Sequence, residues 1–406
     1  MSTAEIVMYG APWCPDCKRA KQFLNEQRIP YAWHDIDEDE AARRYLEQVN
    51  HGKQIIPTIV FPDGSLLVEP SNAELAAKLG IKNRAQRSYY DLIVLGGGPA
   101  GMSAAIYAAR EGLKVLVIDR GGLGGQAAVT REIENYPGFP EPLSGTELAA
   151  RLKEQAERFG VELVTAQSVT GLTREINSLA VRTKSGDEYC ASAVVLAVGS
   201  TYKRLGVPRE ADFLGAGVHF CATCDGPFYK GKDVIAVGGG NSAFQESLFL
   251  TKFARSVTIA VAGSEARASK ALQEKVAERE DIRVLTGTTI REFRGRDKLS
   301  SVVLRNEVTG ETRETPIEGV FVFIGLTPNT DTFRGTVELD PGGFVVTGPN
   351  LETSVPGVFA AGDCRAGSTK QIASAVGEGA TAALMVREYL QTRGEATARL
   401  SLEVMS

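Results

Sequence analysis

Two pairs of cysteines, Cys14 with Cys17 and Cys221 with Cys224, share the spacing Cys-x-x-Cys in this 406-residue chain. In a cytosolic protein, a pair with this spacing is more often redox-active or metal-binding than a structural disulfide. A zinc site would have to join the two pairs or recruit histidines, and the chain has three histidines. We therefore expect dithiol–disulfide chemistry at both pairs and no metal site.

The first pair lies in the segment Trp13-Cys14-Pro15-Asp16-Cys17, between a predicted strand and a predicted helix. Backbone amides at a helix N-terminus favour a thiolate, so Cys14 is the expected nucleophile and Cys17, one turn later, the resolving thiol. The charge of Asp16 opposes thiolate formation. Ile56-Pro57 precedes a predicted hairpin strand, at the point where a cis-proline would lie beside the pair, but the sequence does not reveal the isomer.

The second pair, Cys221-Ala222-Thr223-Cys224, is followed directly by Asp225. Thiol–disulfide exchange needs a thiolate nucleophile and a proton for the leaving sulfur. Asp225 is therefore the candidate proton donor for this pair. His219, two residues before Cys221, could tune the pair, although we expect it to be a structural histidine.

A glycine-rich segment with Gly96, Gly98 and Gly101 follows a predicted strand and opens a predicted helix. The first glycine permits a tight turn, the second lets the backbone approach a pyrophosphate, and the third packs the helix on the strand. Asp119 ends the next predicted strand, where a carboxylate accepts hydrogen bonds from a ribose hydroxyl. These residues predict a dinucleotide site.

A second loop of this kind contains Gly238, Gly240, Asn241 and Ala243. Its final alanine suits a slightly more open packing of the helix, and the next predicted strand ends without an acidic residue. This loop predicts a second nucleotide site.

The predicted elements place both cysteine pairs and both loops in an α/β protein. Residues 1–80 follow the order β-α-β-α-β-β-α, with predicted strands at 6–9, 31–35, 55–61 and 65–69 and predicted helices at 14–27, 40–49 and 72–79. Ser71 is the expected N-cap of the last of these helices, and residues 81–88 are a polar linker. The scheme strand, glycine turn, helix, strand then occurs twice, at 91–118 and 233–261, which indicates two dinucleotide-binding units. Residues 393–406 show no strong pattern and are predicted to be a disordered tail.

Composition narrows the functional classes. The net charge of −5 argues against nucleic acid or a membrane surface as a partner, and the hydrophobic content of 43% is that of a globular protein. We find no apolar run long enough to span a membrane and no secretion signal at the N-terminus, so we expect a cytoplasmic protein. The two lone cysteines, Cys190 and Cys364, are predicted to be small core or loop residues.

Residues 90–390 resemble low-molecular-weight thioredoxin reductases. The matching stretches occur in the family order: Gly96–Gly101, Gly124-Gly125-Gln126, Glu134–Gly138, Cys221–Gly226, Gly238–Ala243, Gly325–Asn329, Gly362-Asp363 and Gln371-Ile372-Ala373. The resemblance implies an FAD domain at residues 89–205 and 329–392, with an NAD(P)H domain at residues 206–328 inserted between the two segments. It also implies a homodimer and a two-dinucleotide flavoprotein with two Rossmann-like dinucleotide-binding domains.

The same resemblance implies roles for individual residues. Asp363 should meet the ribityl chain of FAD, and the isoalloxazine should lie near a set comprising Gln126, Asn135, Gln371, Ile372 and Ala373. Cys224 should face the flavin, Cys221 should attack the outgoing substrate, and Asp225 should serve as acid and base.

Residues 1–80 resemble glutaredoxins, closest to the mycoredoxin-like subgroup, which implies an N-terminal thioredoxin-like fold. The evidence is Trp13-Cys14-x-x-Cys17, Ile56-Pro57-Thr58 and the stretch Asp63–Ser71. Glu69-Pro70 stands where typical glutaredoxins carry a Gly-Gly that helps to hold glutathione. We expect the Cys14–Cys17 disulfide to be the first acceptor of electrons, and a thioredoxin-like protein or a low-molecular-weight disulfide to be the final substrate.

Three other interpretations share these motifs. A reductase of a peroxiredoxin or hydroperoxide system also carries a dithiol domain before a thioredoxin-reductase-like body. A flavin disulfide reductase fed by ferredoxin would not need a complete nucleotide site. A non-catalytic redox sensor is the third, and the complete set of flavin and dithiol residues argues against it.

The choice between NADPH and NADH depends on the segment after the strand at 256–261. Typical thioredoxin reductases carry His-Arg-Arg there, with another arginine four positions on, and guanidinium groups bind the extra phosphate of NADPH. This chain has Val261-Ala262-Gly263-Ser264-Glu265-Ala266-Arg267, so only Arg267 remains. No carboxylate stands at Ala262 or Gly263 to select NADH. We predict weak discrimination, with NADH used at least comparably to NADPH.

Overall fold

The computed structural model describes residues 5–27, 29–130, 132–296 and 298–405. Two compact units can be distinguished: one comprises residues up to 129, 145–199 and from 328 onward, and the other comprises residues 130–144 and 200–327. The predicted limits of the nucleotide domain, 206 and 328, fall close to the ends of the longer segment of the second unit. The mixture of helices and sheets confirms the α/β prediction.

The N-terminal module of the first unit has the predicted order β-α-β-α-β-β-α. The elements are β1 Ile6–Gly10, α1 Pro15–Glu26, β2 Tyr31–Asp35, α2 Glu40–Val49, β3 Thr58–Val60, β4 Leu66–Val68 and α3 Asn72–Lys78. The sheet runs β2-β1-β3-β4, with β1 parallel to β2 and antiparallel to β3. Met8, Leu24 and Ile59 are fully buried at its centre. Ser71 caps the last helix as predicted, because its hydroxyl accepts from the amide of Glu74 while the Glu74 carboxylate accepts from the amide of Ser71.

The rest of the first unit is built on a second, mainly parallel sheet. The elements are β5 Tyr89–Leu95, α4 Pro99–Arg110, β6 Val115–Ile118, α5 Gly145–Arg158, β7 Glu162–Val164, β8 Val169–Arg174, β9 Leu179–Thr183, β10 Glu188–Leu196, β21 Val358–Ala360 and α9 Ile372–Met405. The sheet order is β7-β6-β5-β10-β9-β8, with β21 also paired to β10. Strands β5, β6 and β7 are parallel neighbours, and β5 is almost entirely apolar because helices and strands cover both of its faces.

Helix α9 corrects the prediction for the C-terminus. The segment 393–406 was expected to be disordered, but the helix continues through it to Met405. Alanine, leucine, glutamate and arginine dominate the segment, and these residues favour helix even where no amphipathic period is visible. The side chains beyond Arg393 lie outside the described part of the structure.

The linker segment, residues 82–87, lies along the first unit and is bonded to it by its main chain. The Lys82 carbonyl accepts from the amide of Thr165 at 2.9 Å, and the Gln86 amide donates to the Glu162 carboxylate at 2.7 Å. The Ala85 amide donates to the hydroxyl of Tyr189 at 3.1 Å. The main chain of the predicted linker is therefore bonded to residues 162–189 of the first unit.

The described strands of the second unit form a parallel sheet, an antiparallel sheet and a two-stranded pairing of β11 with β20. The elements are β11 Ser200–Tyr202, β12 Val218–His219, α6 Ala222–Asp225, β13 Asp233–Val237, α7 Asn241–Leu250, β14 Ser256–Ala260, α8 Lys270–Ala277, β15 Ile282–Leu285, β16 Thr288–Gly295, β17 Leu299–Asn306, β18 Thr312–Pro316, β19 Gly319–Val322 and β20 Leu326–Pro328. The parallel sheet has the order β12-β19-β13-β14-β15, and the antiparallel sheet has the order β16-β17-β18. Strands β12, β19 and β13 are adjacent, which brings residues near position 219 beside residues near position 321.

Candidate active site

Cys14 is the N-cap of helix α1, which begins at Pro15. Its sulfur accepts a hydrogen bond from the backbone amide of Cys17 at 3.2 Å, and the thiol lies 3.8 Å from the carbonyl of Ile56. The Ile56-Pro57 peptide bond is cis, so the proline does lie beside the pair. An amide hydrogen bond and the helix N-terminus both favour negative charge on this sulfur, which suits a nucleophile.

Cys17 is fully enclosed in the module, in contact with the ring of Trp33. A methyl group built on Gly10 would come within 2.6 Å of the Cys17 sulfur and 2.8 Å of the Trp33 ring. Burial, reinforced by the neighbouring Cys14 thiol, raises the pKa of the Cys17 thiol to about 12. The ammonium of Lys21 lies 3.1 Å from the centre of the Trp33 ring and acts in the opposite direction on that pKa. Cys17 is thus a protonated thiol at neutral pH, as a resolving cysteine should be before it is needed.

Trp13 marks the exposed side of this pair. Its side chain is 65% exposed, although its indole N–H donates to Asp37 at 2.8 Å and fixes the ring. A large, fixed, exposed aromatic ring next to a nucleophile is a suitable contact for a disulfide-bearing partner.

The first glycine loop has the close contacts that its sequence predicts. Gly96 has a φ of 108°, and a Cβ there would lie 2.3 Å from the carbonyl of Ala197. A Cβ on Gly101 would lie 1.9 Å from the carbonyl of Gly96. Gly98 is the N-cap of α4, so the amides of the first helical turn point out of the loop. The loop is a cradle for a phosphate group.

Asp119 follows β6 and lies against this loop. One carboxylate oxygen accepts from the amide of Gly97 at 2.6 Å and the other accepts from the amide of Gly121 at 2.7 Å. The carboxylate therefore holds the glycine loop through the amide of Gly97.

Gln126 lies in a short 3-10 helix that packs on the same loop. The Gly124 amide donates to the carbonyl of Gly97 at 2.7 Å, and a Cβ on Gly125 would lie 3.0 Å from Gly98. Asn135 lies in the segment 130–144, in a shallow cavity of about 540 Å³ formed by residues 134–140 of the second unit.

Gly362 and Asp363 reach the first loop from the far end of the sequence. A Cβ on Gly362 would lie 2.8 Å from that of Ala100, at the start of α4. Burial raises the pKa of the Asp363 carboxyl, and the ammonium of Lys370, which donates to the Asp363 carbonyl at 2.9 Å, opposes that rise. The predicted flavin residues Gln371, Ile372 and Ala373 follow directly, at the start of α9.

The lone cysteines lie apart from these features. Cys364 is buried with its thiol directed at the carbonyl of Leu196 at 3.4 Å, and burial raises its pKa to about 11. Cys190 is half-buried on β10, and burial raises its pKa as well. Both environments suppress the thiolate.

The second glycine loop belongs to the second unit and repeats the same contacts. A Cβ on Gly238 would lie 2.5 Å from the carbonyl of Phe323 and 3.0 Å from the side chain of Ala243. Gly240 is the N-cap of α7, and the Asn241 side chain accepts from the amide of Ser269 at 2.8 Å.

Arg267 is attached to this loop by its backbone. Its amide donates to the carbonyl of Gly239 at 2.7 Å, while its side chain is exposed. Ala262, Gly263 and Glu265 are also exposed around it. The structure therefore attaches the backbone of Arg267 to the second loop and leaves its side chain exposed.

Cys221 and Cys224 form a disulfide with a Cα–Cα distance of 5.3 Å. Cys221 is the N-cap of α6, and its sulfur accepts from the amide of Cys224 at 3.1 Å. Asp225 is 20% exposed and faces His219, with 3.3 Å between a carboxylate oxygen and Nδ1. The prediction treated His219 as a structural residue, and the structure places it in contact with the candidate acid.

Two negative findings apply to the described residues. Within them, no group of three or more histidine, cysteine, aspartate or glutamate side chains is arranged to hold a metal ion. No helix in that part of the chain is long and apolar enough to cross a membrane.

Comparison with known proteins matches two separate parts of the chain. Residues 90–379 match the family model described as pyridine nucleotide-disulphide oxidoreductase, and residues 6–67 match that of glutaredoxin. A thioredoxin reductase of Treponema pallidum is 42% identical over 303 residues, which cover 75% of this chain and 98% of that protein. A bifunctional thioredoxin reductase/thioredoxin of Mycobacterium leprae is 41% identical over 75% of this chain and 67% of its own length. The crystal structure of a thioredoxin reductase from Streptococcus pyogenes superposes with a TM-score of 0.72 at 38% identity, covering 75% of this chain and 99% of that one.

Proposed function

Because this chain belongs to the pyridine nucleotide-disulphide oxidoreductase family, as an enzyme of the thioredoxin-reductase type with an N-terminal glutaredoxin domain, we propose that it relays electrons through two dithiols in series. Electrons would pass from NAD(P)H through FAD to Cys221–Cys224, then to Cys14–Cys17, and finally to a disulfide substrate. The observation that carries this proposal is the shared geometry of the pairs. In each, the first sulfur caps a helix and accepts from the amide of the second cysteine, at 3.2 Å and 3.1 Å.

The residues of the first unit fit an FAD molecule. The contacts at Gly96 and Gly101 leave no space for side chains, so the backbone can approach a pyrophosphate. Asp119 would bind the adenosine ribose, Asp363 the ribityl chain, and Gln126, Asn135, Gln371, Ile372 and Ala373 would lie near the isoalloxazine. When bound, the flavin would accept a hydride from the nucleotide and supply two electrons to the adjacent disulfide.

The exchange between the two pairs balances without an outside reagent. The Cys221 thiolate attacks Cys14, an S–S bond forms between them, and the Cys14–Cys17 bond breaks with Cys17 taking up a proton. Cys224 then attacks Cys221, which restores the Cys221–Cys224 disulfide and releases the Cys14 thiolate. Asp225 exchanges the proton that this second pair requires. The transfer would occur within one chain or across a homodimer, and light scattering should report twice the mass of the chain.

The final acceptor would be a thioredoxin-like protein or a low-molecular-weight disulfide. Trp13 provides an exposed aromatic contact, and Glu69, with a φ of 47°, occupies the place where glutaredoxins carry a glycine pair. Rates with thioredoxin, a peroxiredoxin and small disulfides, measured side by side, would identify the class and test the peroxiredoxin-system alternative.

Two serine variants test the order of the relay. Cys224→Ser should still bleach the flavin with NAD(P)H but should reduce no disulfide, whereas Cys14→Ser should keep flavin reduction and lose reduction of the final substrate. Cys190→Ser is the matched control, since this lone cysteine takes no part in the relay and should retain full activity. Wild-type turnover in Cys224→Ser would show that the path is wrong. Absence of turnover with either nucleotide in the unmodified enzyme would favour ferredoxin as the donor.

A further inference from the structure

A chain of polar contacts, made by Asp225, His219 and Tyr229, lies beside the Cys221–Cys224 pair within the second unit. Asp225 contacts His219 Nδ1 at 3.3 Å, and His219 Nε2 contacts the hydroxyl of Tyr229 at 2.7 Å. His219 and Tyr229 are each only 7% exposed, so neither side chain can satisfy its polar atoms with bulk water.

The direction of these bonds follows from Tyr229. Its burial, reinforced by the negative charges of Asp225 and Glu318, raises its pKa far above the usual value, so the phenol stays protonated and can donate. A neutral imidazole that accepts at Nε2 carries its own hydrogen at Nδ1. The Nδ1–H of His219 then faces the Asp225 carboxyl, 3.3 Å from one of its oxygens.

Packing fixes this arrangement from behind. The His219 and Tyr229 rings both pack against Phe321 of β19, with ring centres 5.3 Å and 5.4 Å away. A Cβ on Gly319 would lie 2.3 Å from the Tyr229 ring, so a glycine is needed there for the ring to fit.

Two charged side chains lie beside the Tyr229 end of these contacts. Lys232 and Glu318 form a 3.5 Å ion pair, and the Lys232 ammonium lies 5.6 Å from the centre of the Tyr229 ring. Asp225 lies at the other end, on the same short helix as Cys224. A change at His219 should therefore reach the redox pair through Asp225.

We propose that His219, held by Tyr229, is a positioning residue that orients the Asp225 carboxyl toward the redox pair. This inference rests on the proposed function, in which the flavin reduced by NAD(P)H supplies two electrons. In that step the Cys221–Cys224 bond breaks, one sulfur takes the proton of Asp225 and becomes a thiol, and the other remains a thiolate. The resulting Asp225 carboxylate stays beside His219 Nδ1–H until solvent returns its proton.

The test uses the full-length holoenzyme in a Cys14→Ser background, so that electrons reach dithiobis(nitrobenzoate) from Cys221–Cys224 alone. His219→Phe keeps a ring but removes both polar contacts, and we expect kcat for the disulfide to fall roughly tenfold with KM unchanged, which is part of what a general acid contributes. Its pH profile should move to higher pH, because the carboxylate loses a donor that favours its ionised form. Flavin bleaching by NAD(P)H should keep the parent rate.

Three further variants complete the design. His219→Asn retains a donor near the Nδ1 position and should recover part of kcat, and Tyr229→Phe, which keeps the aromatic packing, should shift the pH profile in the same direction as His219→Phe. His34→Asn is the matched control, because His34 forms a similar 3.1 Å contact with Asp39 in the N-terminal module. It should behave like the parent.

The outcomes distinguish a failure of the proposed function from a failure of the role given to His219. A parent enzyme without NAD(P)H-driven turnover would overturn the proposed function. If the parent enzyme turns over and both His219→Phe and Tyr229→Phe have the same kcat and pH profile as the parent, the role proposed for His219 is wrong. Thermal unfolding of each variant identifies a folding defect, and if His219→Phe is unfolded, Tyr229→Phe decides the question.

Discussion

At the scale of single residues, the spacing of both cysteine pairs coincides with the geometry of a helix cap. A capping side chain accepts from the amide two or three positions on, and here a sulfur at the N-cap accepts from the amide of the second cysteine. Two intervening residues therefore place both sulfurs at one helix end and bring an amide to the first. The pairs differ in the next residue of the chain, which is Lys18 after Cys17 and Asp225 after Cys224. The second pair is thus followed directly by its candidate acid, whereas the carboxyl of the first pair, Asp16, lies between the two cysteines.

Arg267 is the residue on which nucleotide choice should depend. Arg267→Ala should raise KM for NADPH about tenfold or more, because one charge-assisted contact to a phosphate contributes about 1.5–3 kcal/mol. The KM for NADH should stay unchanged. Steady-state kinetics with both nucleotides measure this ratio.

The control for this prediction is Arg279→Ala, an exposed arginine of the same unit that pairs with Asp281. It should leave both KM values unaltered. If the ratio of the KM values for NADPH and NADH is the same before and after Arg267→Ala, Arg267 does not bind the phosphate. A wild-type preference for NADPH above about a hundredfold, about 2.7 kcal/mol, would mean that other groups bind the phosphate.

At the scale of elements, the crossing of α4 and α9 closes the first dinucleotide site. A Cβ on Gly379 of α9 would lie 2.1 Å from the carbonyl of Ala100 in α4. This contact joins two segments that are distant in the sequence, and it brings Asp363 and the start of α9 to the phosphate loop. A glycine is required at position 379 because a Cβ would meet backbone atoms of α4, and backbone cannot move aside as a flexible side chain can.

Gly379→Ala should therefore separate the two helices. We expect a loss of about 1–3 kcal/mol in the free energy of unfolding, as for other overpacked contacts, together with weaker retention of the flavin. Denaturant unfolding and the ratio of flavin to protein absorbance measure these effects.

Gly377→Ala is the matched control on the same helix. A Cβ there would have no neighbour within 4 Å, so the change should be neutral or stabilise by up to about 1 kcal/mol through helix propensity. If both variants lower the free energy of unfolding equally, the close approach of α4 and α9 is not the reason that position 379 requires glycine.

Local patterns in the sequence predicted most of these elements. The helix Glu40–Val49 and the strand Asp233–Val237 have the predicted limits, and Ser71 is the cap that its position before Glu74 indicates. The sequence left a structural and a tuning role open for His219, because its contacts depend on how β12, β19 and the turn at Tyr229 pack together. The prediction of a disordered tail at residues 393–406 was wrong because it relied on the absence of an amphipathic period. The composition of this segment favours helix without such a period.

At the scale of the whole molecule, the linker segment determines how the N-terminal module is attached. Ile81 packs with the apolar core of the module, and so does Ala166 from the reductase part of the first unit. From Lys82 onward the main chain is bonded to that reductase part. A freely jointed tether, for which an effective concentration near mM would apply, is therefore not the arrangement that the structure describes.

Trypsin offers a test of this attachment. Arg84 and Arg87 are potential cleavage sites, and Arg84 is 77% exposed, yet proteolysis requires the backbone to open locally. We expect the native protein to resist cleavage in the linker segment until it unfolds. Tyr189→Phe removes the acceptor of the Ala85 amide and should speed cleavage there several-fold.

Electrophoresis and mass spectrometry of the fragments identify the cut. Tyr107→Phe is the control, since this tyrosine is 40% exposed and lies on α4 outside the linker contacts. Rapid cleavage at Arg84 or Arg87 in the unmodified protein would show that the segment is not held in solution.

The bonded linker segment also determines where the N-terminal module could be replaced by another domain. The boundary lies between Ile81, which packs with the module, and Lys82, which is bonded to the reductase part. A different dithiol domain joined at that boundary would still be attached by the hydrogen bonds that residues 82–87 form with the reductase part. The reductase part thus contains the residues that anchor the N-terminal module. Exchange of that module would therefore change the final electron acceptor without altering the flavin centre.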